Sequence, residues 1–316
     1  MQVHYSLDQL PKFRNPAITV GTFDGVHNGH REVLKQLNEA AHESGGESVL
    51  ITFHPHPRSV VSSPILGIRL INTLEERIEL LRSCGIDHLV VVPFTEHFSN
   101  LTAEEYVRDF LVGKFKPHTL VIGYDHRFGR DRNGNYLFLH EHATQFGFSL
   151  KEIPAHLLEA NVISSTRIRE AILHHEIDVA NKLLGYPFLF TGTVVHGNKI
   201  GRTLGYPTAN IQMNSEEKIV PGNGIYAVFA KPEGFEVPFQ GMMSIGFRPT
   251  VGGTQRVIEV NLFDFDADIY DRMLTVYVMY YLRQEVKFEG LPALIEQMHL
   301  DKQHTLGLLP TLLPNG

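Results

Sequence analysis

Apolar residues in the first half of the chain fall in short runs rich in β-branched side chains: AITV from Ala17, VLITF from Val49, LVVVPF from Leu89, TLVIG from Thr119 and SLKEI from Ser149. Runs of this length and texture are those of strands buried on both faces of a parallel sheet. Between them the pattern switches to a helical period. Thr73 with Glu76, and Thr102 with Glu105, have capping-box spacing and lead into such stretches. The alternation predicts an α/β domain with a parallel sheet. Its last helix is expected to begin at Ser165 or Thr166, run through Ile168, Ala171, Ile172 and Leu183, and end at Gly185 as C-cap.

After Gly185 the texture changes. GYPFLFTGTVVHG, NGIYAVFAKPEG, PFQGMMSIG, RVIEVNLFDFD and MLTVYVMYYL are strand-like and separated by glycine and proline turns. They predict an antiparallel β domain, a small barrel, covered on one side by an amphipathic helix over about 291–304. The terminal LGLLPTLLPNG reads as a poorly specified tail. The expected domains are therefore 1–185 and 186–316.

A chain of 316 residues suits two domains of ordinary size, and 43% hydrophobic with 20% charged residues is the balance of a globular protein. The net charge of −7 argues against a general nucleic-acid or anionic-membrane surface, which needs concentrated Lys and Arg. Cys84 is the only cysteine, which excludes an intrachain disulfide framework and a multi-Cys zinc site. MQVHYSLDQLPKF lacks the basic and apolar regions of a secretory signal, and no apolar run approaches the roughly 20 residues of a membrane helix. The expectation is a cytoplasmic protein without membrane or nucleic-acid partners.

Candidate chemistry enters with GTFDGVHNGH at 21–30, which sits between the AITV run and a helix with Val33, Leu34, Leu37 and Ala41 on one face. A glycine-rich turn between strand and helix is where open α/β sheets bind ligands, because the helix N-terminus offers free N–H groups and a positive dipole end. His27 and His30, three apart across the helix start, can both face that point, and Gly29 leaves room for a nucleotide. Two imidazoles there suit stabilisation of charge on a phosphoryl group better than metal binding. A short HxGH string is equally compatible with an ordinary turn. ISSTRIR at 163–169 adds hydroxyl and amide donors at a second helix start, from Ser164, Ser165 and Thr166, with Arg169 one turn in. Alone, Ser-Ser-Thr is more often an N-cap. The His pairs in HPHP, HEH and HHE lack a third ligand at usual metal spacing.

The second half carries GNKIGRTLGYPTANI from Gly197, which is not a P-loop. Gly197, Gly201 and Gly205 permit tight turns, Lys199 and Arg202 add charge, and Thr208 and Asn210 offer oxygens to a hard cation. Two apart in a strand-like segment, Thr208 and Asn210 would point the same way. A long hairpin loop and an ordinary strand would also account for the fragment. In VIEVNLF, Glu259 shares a strand face with Asn261, opposite Ile258, Val260 and Leu262. A solvated carboxylate is the usual occupant of such a position.

HNGH with ISSTRIR resembles the nucleotidyltransferase superfamily, and TFHPHP at 52–57 with VIGYDHRFGRDRNGN at 121–135 resembles the FMN adenylyltransferase module of bacterial bifunctional riboflavin kinase/FAD synthetases. The GNKIGRTLGYPTAN string resembles the riboflavin kinase signature. It is followed in order by PGNGIYAV, SIGFRPTVGG, IEVNLFDFDADIYD and YLRQEVKF. The resemblance spans both halves. It implies a Rossmann-like nucleotidyltransferase domain followed by a small antiparallel barrel with a terminal helix. It also implies two activities: riboflavin and ATP giving FMN, then FMN and ATP giving FAD and pyrophosphate, with Mg2+ or another divalent cation. For adenylyl transfer it implies ATP contacts from Gly21, Phe23, Asp24, His27, Gly29 and His30. Ser164, Ser165, Thr166 and Arg169 would hold pyrophosphate, and Asp125 would lie near the flavin. For the kinase it implies ATP contacts from Gly197, Lys199, Arg202, Thr208 and Asn210, and a metal at Thr208 and Asn210. Arg248, Thr250 and Arg283 would lie on the flavin side, and Glu259 would be the general base. His126 stands where the family more often has phenylalanine, and Ser244 where asparagine is commoner. One active half with a scaffold half, or a flavin- or nucleotide-sensing regulator, would be alternatives. A regulator is expected to lack His30 or Glu259, and both are present.

Overall fold

The computed structural model describes residues 1–61, 69–123, 126–153, 164–197, 201, 205–250 and 253–313, with the backbone alone at 249, 250 and 253–255. By packing, the chain divides into two compact units, Met1–Ser165 and Thr166–Gly316.

The first unit is built on a six-stranded, wholly parallel sheet. Its strands are β1 (Gln2–His4), β2 (Ala17–Val20), β3 (Ser48–His54), β4 (His88–Pro93), β5 (Thr119–Gly123) and β6 (Ser149–Ile153), in the order β1-β4-β3-β2-β5-β6. The five expected strands are all present, and β1 is an addition. Both faces of the sheet are buried, as the continuous apolar runs imply. Ala17, Leu50, Leu89, Val91 and Val121 enter one core with Leu34, Leu37 and Ala41 of α1 (Asn28–Glu43). Ile18, Val49, Ile51, Val90, Leu120 and Ile122 enter another. That second core is aromatic, with Tyr106, Phe110 and Phe115 from a π-helical segment, Tyr106–Phe115.

Both capping boxes form. Thr73 caps α3 (Leu74–Arg82) with Glu76, following the short α2 (Pro57–Val61), and Thr102 caps α5 (Ala103–Glu105) with Glu105, following α4 (Glu96–Ser99). α6 (Tyr136–Phe146) precedes β6. The order of strands reverses between β2 and β5, and their pairing consists of Ala17 with Thr119 and Ile18 with Leu120. The turn after β2 therefore leaves the sheet at its topological switch point, the usual ligand position of such sheets.

The second unit is an antiparallel closed barrel of β7 (Phe188–Val195), β8 (Ala209–Met213), β9 (Gly224–Pro232), β10 (Phe239–Thr250), β11 (Gly253–Leu262) and β12 (Met273–Arg283), in the order β10-β11-β8-β7-β12-β9. The single helix expected before it is two: α7 (Ser165–Leu173) and α8 (Ile177–Leu184). The break falls at His175, whose φ of 67° cannot continue a helix. Its ring stacks on Tyr281 with centroids 4.4 Å apart and bonds the Tyr226 hydroxyl at 2.9 Å. α8 ends at Gly185 in the left-handed conformation, as expected. The last helix, α9 (Leu291–Leu308), runs beyond 304, and Leu309 is buried with Ala227, Phe229 and Met279. The start of the supposed tail is thus packed on the barrel.

Candidate active sites

The turn at 21–27 is backbone-strained. Phe23 and Val26 have φ of 49° and 37°, conformations unfavourable to side chains with a Cβ, and Gly25 has φ of 94°. Buried polar bonds hold it in place. The Asp24 carboxylate, 2% exposed, accepts the backbone N–H groups of Ile71 at 3.0 Å and Asn72 at 3.1 Å. The Ser165 hydroxyl donates to the Asp24 carbonyl at 2.9 Å.

His27 is the N-cap of α1, and its Nδ1 accepts the His30 N–H at 3.2 Å. An accepting Nδ1 leaves the proton on Nε2, so in its neutral form His27 presents a donor there. The His30 ring stacks on it with centroids 3.6 Å apart and 13° between planes, and lies 4.7 Å from the Phe23 ring. His30 Nδ1 is buried with no hydrogen-bond partner among the described residues. Burial, then the adjacent His27, then Arg77 hold the His30 imidazole well below its ordinary value, so it is neutral at neutral pH. Gly29 leaves the space beside the His27 ring open, since a Cβ there would stand 3.3 Å from it. Gly21 lies against the Phe23 ring. Ser164 and Thr166 are exposed at the start of α7, and Arg169 lies one turn further along it. Asp125 lies outside the described residues.

A half-open cavity of about 1080 Å³ lies on the barrel, bordered by β8, β10 and β11 and by α9. In the sheet register Asn210 on β8 is opposite Glu259 on β11, and Glu259 is opposite Ser244 on β10. All three line the cavity, together with Thr208 and Arg248. Cross-strand partners share a face, so the resemblance's metal position and its base are neighbours by strand register. Ile258, Val260 and Leu262 are buried, as their alternation with Glu259 requires. Glu259 Oε2 is held by Arg248, and Thr208 Oγ1 stands 3.4 Å from Oε1. A Cβ on Gly197 would run into the Asn210 amide, and one on Gly201 would run into the Tyr206 carbonyl. The glycines are thus where the loop closes on the oxygen donors.

Arg283 is engaged with the buried Asp301 of α9 through bonds of 2.9 and 2.6 Å, and Gln297 supports Asp301 at 3.0 Å. Its guanidinium fixes the helix to the cavity rim. Lys199, Arg202 and the side chain of Thr250 lie outside the described residues.

Asp301 escapes the sequence reading, and so do two further charged residues. Glu285 reaches over Gly246, where a Cβ would collide with its carboxylate, to within 3.5 Å of the Ser244 hydroxyl. Burial pushes its carboxyl up, and Glu259 adds to this against Ser244, Arg248 and Arg283. The quoted YLRQEVKF string contained it. Arg77 is 2% exposed beneath the first turn. Its signal was an arginine three after Leu74 and four before Leu81, on the apolar face of α3.

Comparison with known proteins matches this two-part architecture. The FAD synthetase family model matches residues 10–167 and the Riboflavin kinase family model residues 184–309. The chain is 38% identical over 290 residues to the bifunctional riboflavin kinase/FMN adenylyltransferase of Buchnera aphidicola, covering 91% of this chain and 92% of that protein. The protein of the same description from Escherichia coli K12 is 35% identical over 298 residues, 94% of each chain. That from Listeria monocytogenes is 37% identical over 292 residues, 92% of this chain and 91% of the relative. Among solved structures, the crystal structure of a protein described as a macrolide-efflux protein from Streptococcus pneumoniae superposes with a TM-score of 0.86 at 32% identity, covering 98% of this chain and 99% of that one. No helix among the described residues is long and apolar enough to cross a membrane.

Proposed function

The chain belongs to the bifunctional riboflavin kinase/FMN adenylyltransferase family, and from that premise we propose which of its residues carry each reaction. It is an enzyme of two ATP-dependent steps, phosphorylation of riboflavin to FMN and adenylylation of FMN to FAD. The catalytic division falls at 1–185 for adenylyl transfer and 186–316 for the kinase, and both operate in the cytoplasm without nucleic-acid partners.

In the kinase, Glu259 takes the proton of the riboflavin 5′-hydroxyl as that oxygen attacks the γ-phosphorus of ATP, and ADP leaves. The observation that carries this reading is the row Asn210, Glu259, Ser244 across three strands of one cavity. Thr208 and Asn210 supply hard oxygen donors of the kind Mg2+ prefers, and Gly197 leaves the space that Asn210 needs. A bound divalent cation would neutralise phosphate charge. Thr208 and Asn210 would hold it, Lys199 and Arg202 would meet the phosphates, and Arg248, Thr250 and Arg283 form the flavin side.

In the first unit an FMN phosphate oxygen attacks the α-phosphorus of the second ATP and pyrophosphate leaves. No covalent enzyme intermediate is needed. The His27 Nε2–H and the positive dipole end of α1 stabilise the charge that develops, while neutral His30 backs the His27 ring. Gly21, Phe23 and Gly29 shape the ATP position, and Asp24 holds the turn that presents them. Ser164, Ser165, Thr166 and Arg169 hold pyrophosphate, and Asp125 lies towards the flavin.

Two single variants test the division. Glu259→Gln stops FMN formation while added FMN still becomes FAD, and His30→Ala leaves FMN accumulating, both followed by chromatography. Loss of both steps in either folded variant overturns the assignment.

A further inference from the structure

The strained turn at 21–27 rests on a buried charge. Arg77 Nη1 donates to the Thr22 carbonyl and lies 3.5 Å from Thr52 Oγ1, which itself donates to that carbonyl at 3.2 Å. Two donors thus converge on one carbonyl at the start of the turn. Arg77 Nε is buried with no hydrogen-bond partner among the described residues.

Burial lowers the guanidinium's basicity, while Asp24 and Glu75 attract it. A guanidinium remains protonated at neutral pH all the same. The Asp24 carboxylate is already shared with the Ile71 and Asn72 amides. Desolvating a cation is costly, whereas burying an apolar side chain of similar length in the same slot is favourable. The packing of α3 against the sheet therefore has no need of this charge. A phosphate-binding turn does: a fixed cation in a low-dielectric wall favours the negative charge of a triphosphate at the adjacent helix N-terminus. The same field reaches His30.

We infer that Arg77 is the positioning residue of the adenylyl-transfer site: it pins the Thr22 carbonyl, so fixing the turn that carries His27 and His30, and it holds positive potential beneath the ATP phosphates. This rests on the assignment of that turn to ATP. Arg77 touches the turn and not the reacting atoms, so its effect falls on kcat for FAD formation.

The test uses the full chain with Arg77→Met, Arg77→Lys and His30→Ala, each assayed for riboflavin to FMN and for FMN to FAD. Arg77→Met lowers kcat for FAD formation by about thirtyfold or more, while FMN formation stays within about twofold of the starting protein. Arg77→Lys keeps the charge without the guanidinium fork, and its loss is about three- to tenfold. A wild-type kcat and KM for ATP in Arg77→Met overturns the inference, and equal losses in Met and Lys overturn its electrostatic part. Should Arg77→Met fail to fold by calorimetry, Arg77→Lys decides, and an unchanged kcat for FAD formation overturns the inference. His30→Ala separates the two levels. If it impairs FAD formation while Arg77→Met does not, this inference alone fails; if neither does, the assignment of the turn to ATP fails.

Discussion

Arg248 holds one carboxylate oxygen of Glu259, and the other oxygen stands 3.4 Å from the Thr208 hydroxyl. The proposed base is thereby oriented from both sides, with its two oxygens committed to different neighbours. The ion pair is partly open to water, the Arg248 side chain being 39% exposed against 17% for Glu259. Its value lies in geometry more than in stability.

Removing that orientation separates two roles for Arg248. In Arg248→Ala the carboxylate can swing from the position where it meets the 5′-hydroxyl, and kcat for FMN formation falls by about ten- to a hundredfold, while the lost flavin contact raises KM for riboflavin. Steady-state kinetics checks this. A raised KM at constant kcat places Arg248 with flavin binding alone.

Gly197 tests the proposed cation position from outside the ligand set. A Cβ there would run into the Asn210 amide, so Gly197→Ala must displace it. The Mg2+ concentration for half-maximal FMN formation rises by about tenfold, and adding Asn210→Ala causes no further loss, because both changes remove the same interaction. FAD formation from FMN is unaffected. Additive losses in the double variant would separate Gly197 from Asn210.

His30 predicts an acid dependence of stability. Its imidazole is held well below the ordinary value of 6.5, chiefly by burial. As pH falls below 6.5 the unfolded chain binds a proton that the folded one refuses. Stability contributed by this group is therefore present above 6.5 and drains away with falling pH until the folded pKa is reached, at up to about 1.4 kcal/mol per pH unit. Calorimetry of the starting protein and His30→Gln between pH 5 and 8 checks the sign: the variant loses less stability on acidification. His4 and His175, also lowered, act in the same direction and are common to both proteins.

What could be read from the sequence followed its periodicities. The strands from Ala17 to Gly123 were legible because burial on both faces makes each run apolar almost throughout. The widening of the helix after Glu105 was not. At about 100° per residue Phe115 would lie opposite Tyr106, yet both are buried in one core. Bonding with the wider π spacing returns Phe115 to that face, a choice made by the core. The two histidines of HNGH were legible as a pair. Their division into a capping ring and a neutral ring depends on the folded turn: His27 Nδ1 takes the His30 N–H, and burial, then His27, then Arg77 hold the His30 imidazole down. Glu285 and Asp301 stood in plain view in the sequence. Their place in the barrel cavity follows from Gly246 and Arg283, which only the closed sheet brings near.

The helix just ahead of the barrel belongs to the second unit. Ile177, Ala180 and Leu184 of α8 are almost fully buried, and α8 packs on β7 and β12 of the barrel. Asn181 Nδ2 donates to the Val278 carbonyl at 3.0 Å, and its Oδ1 accepts the Phe188 N–H at 2.7 Å, tying the helix to both strands. A kinase fragment starting at Tyr186 would lose all of this. Exposure of the surfaces that met Ile177 and Leu184 costs roughly 3–6 kcal/mol, and loss of the two Asn181 hydrogen bonds about 0.5–1.5 kcal/mol each. That total is a large share of the stability of an ordinary domain. A fragment of residues 166–316 is therefore expected to unfold cooperatively and to phosphorylate riboflavin, whereas 186–316 melts at a much lower temperature or aggregates. In the full chain, Asn181→Ala shifts the barrel's transition in the same direction by a smaller amount. Equal melting temperatures for the two fragments would show that α8 packs on the barrel without stabilising it.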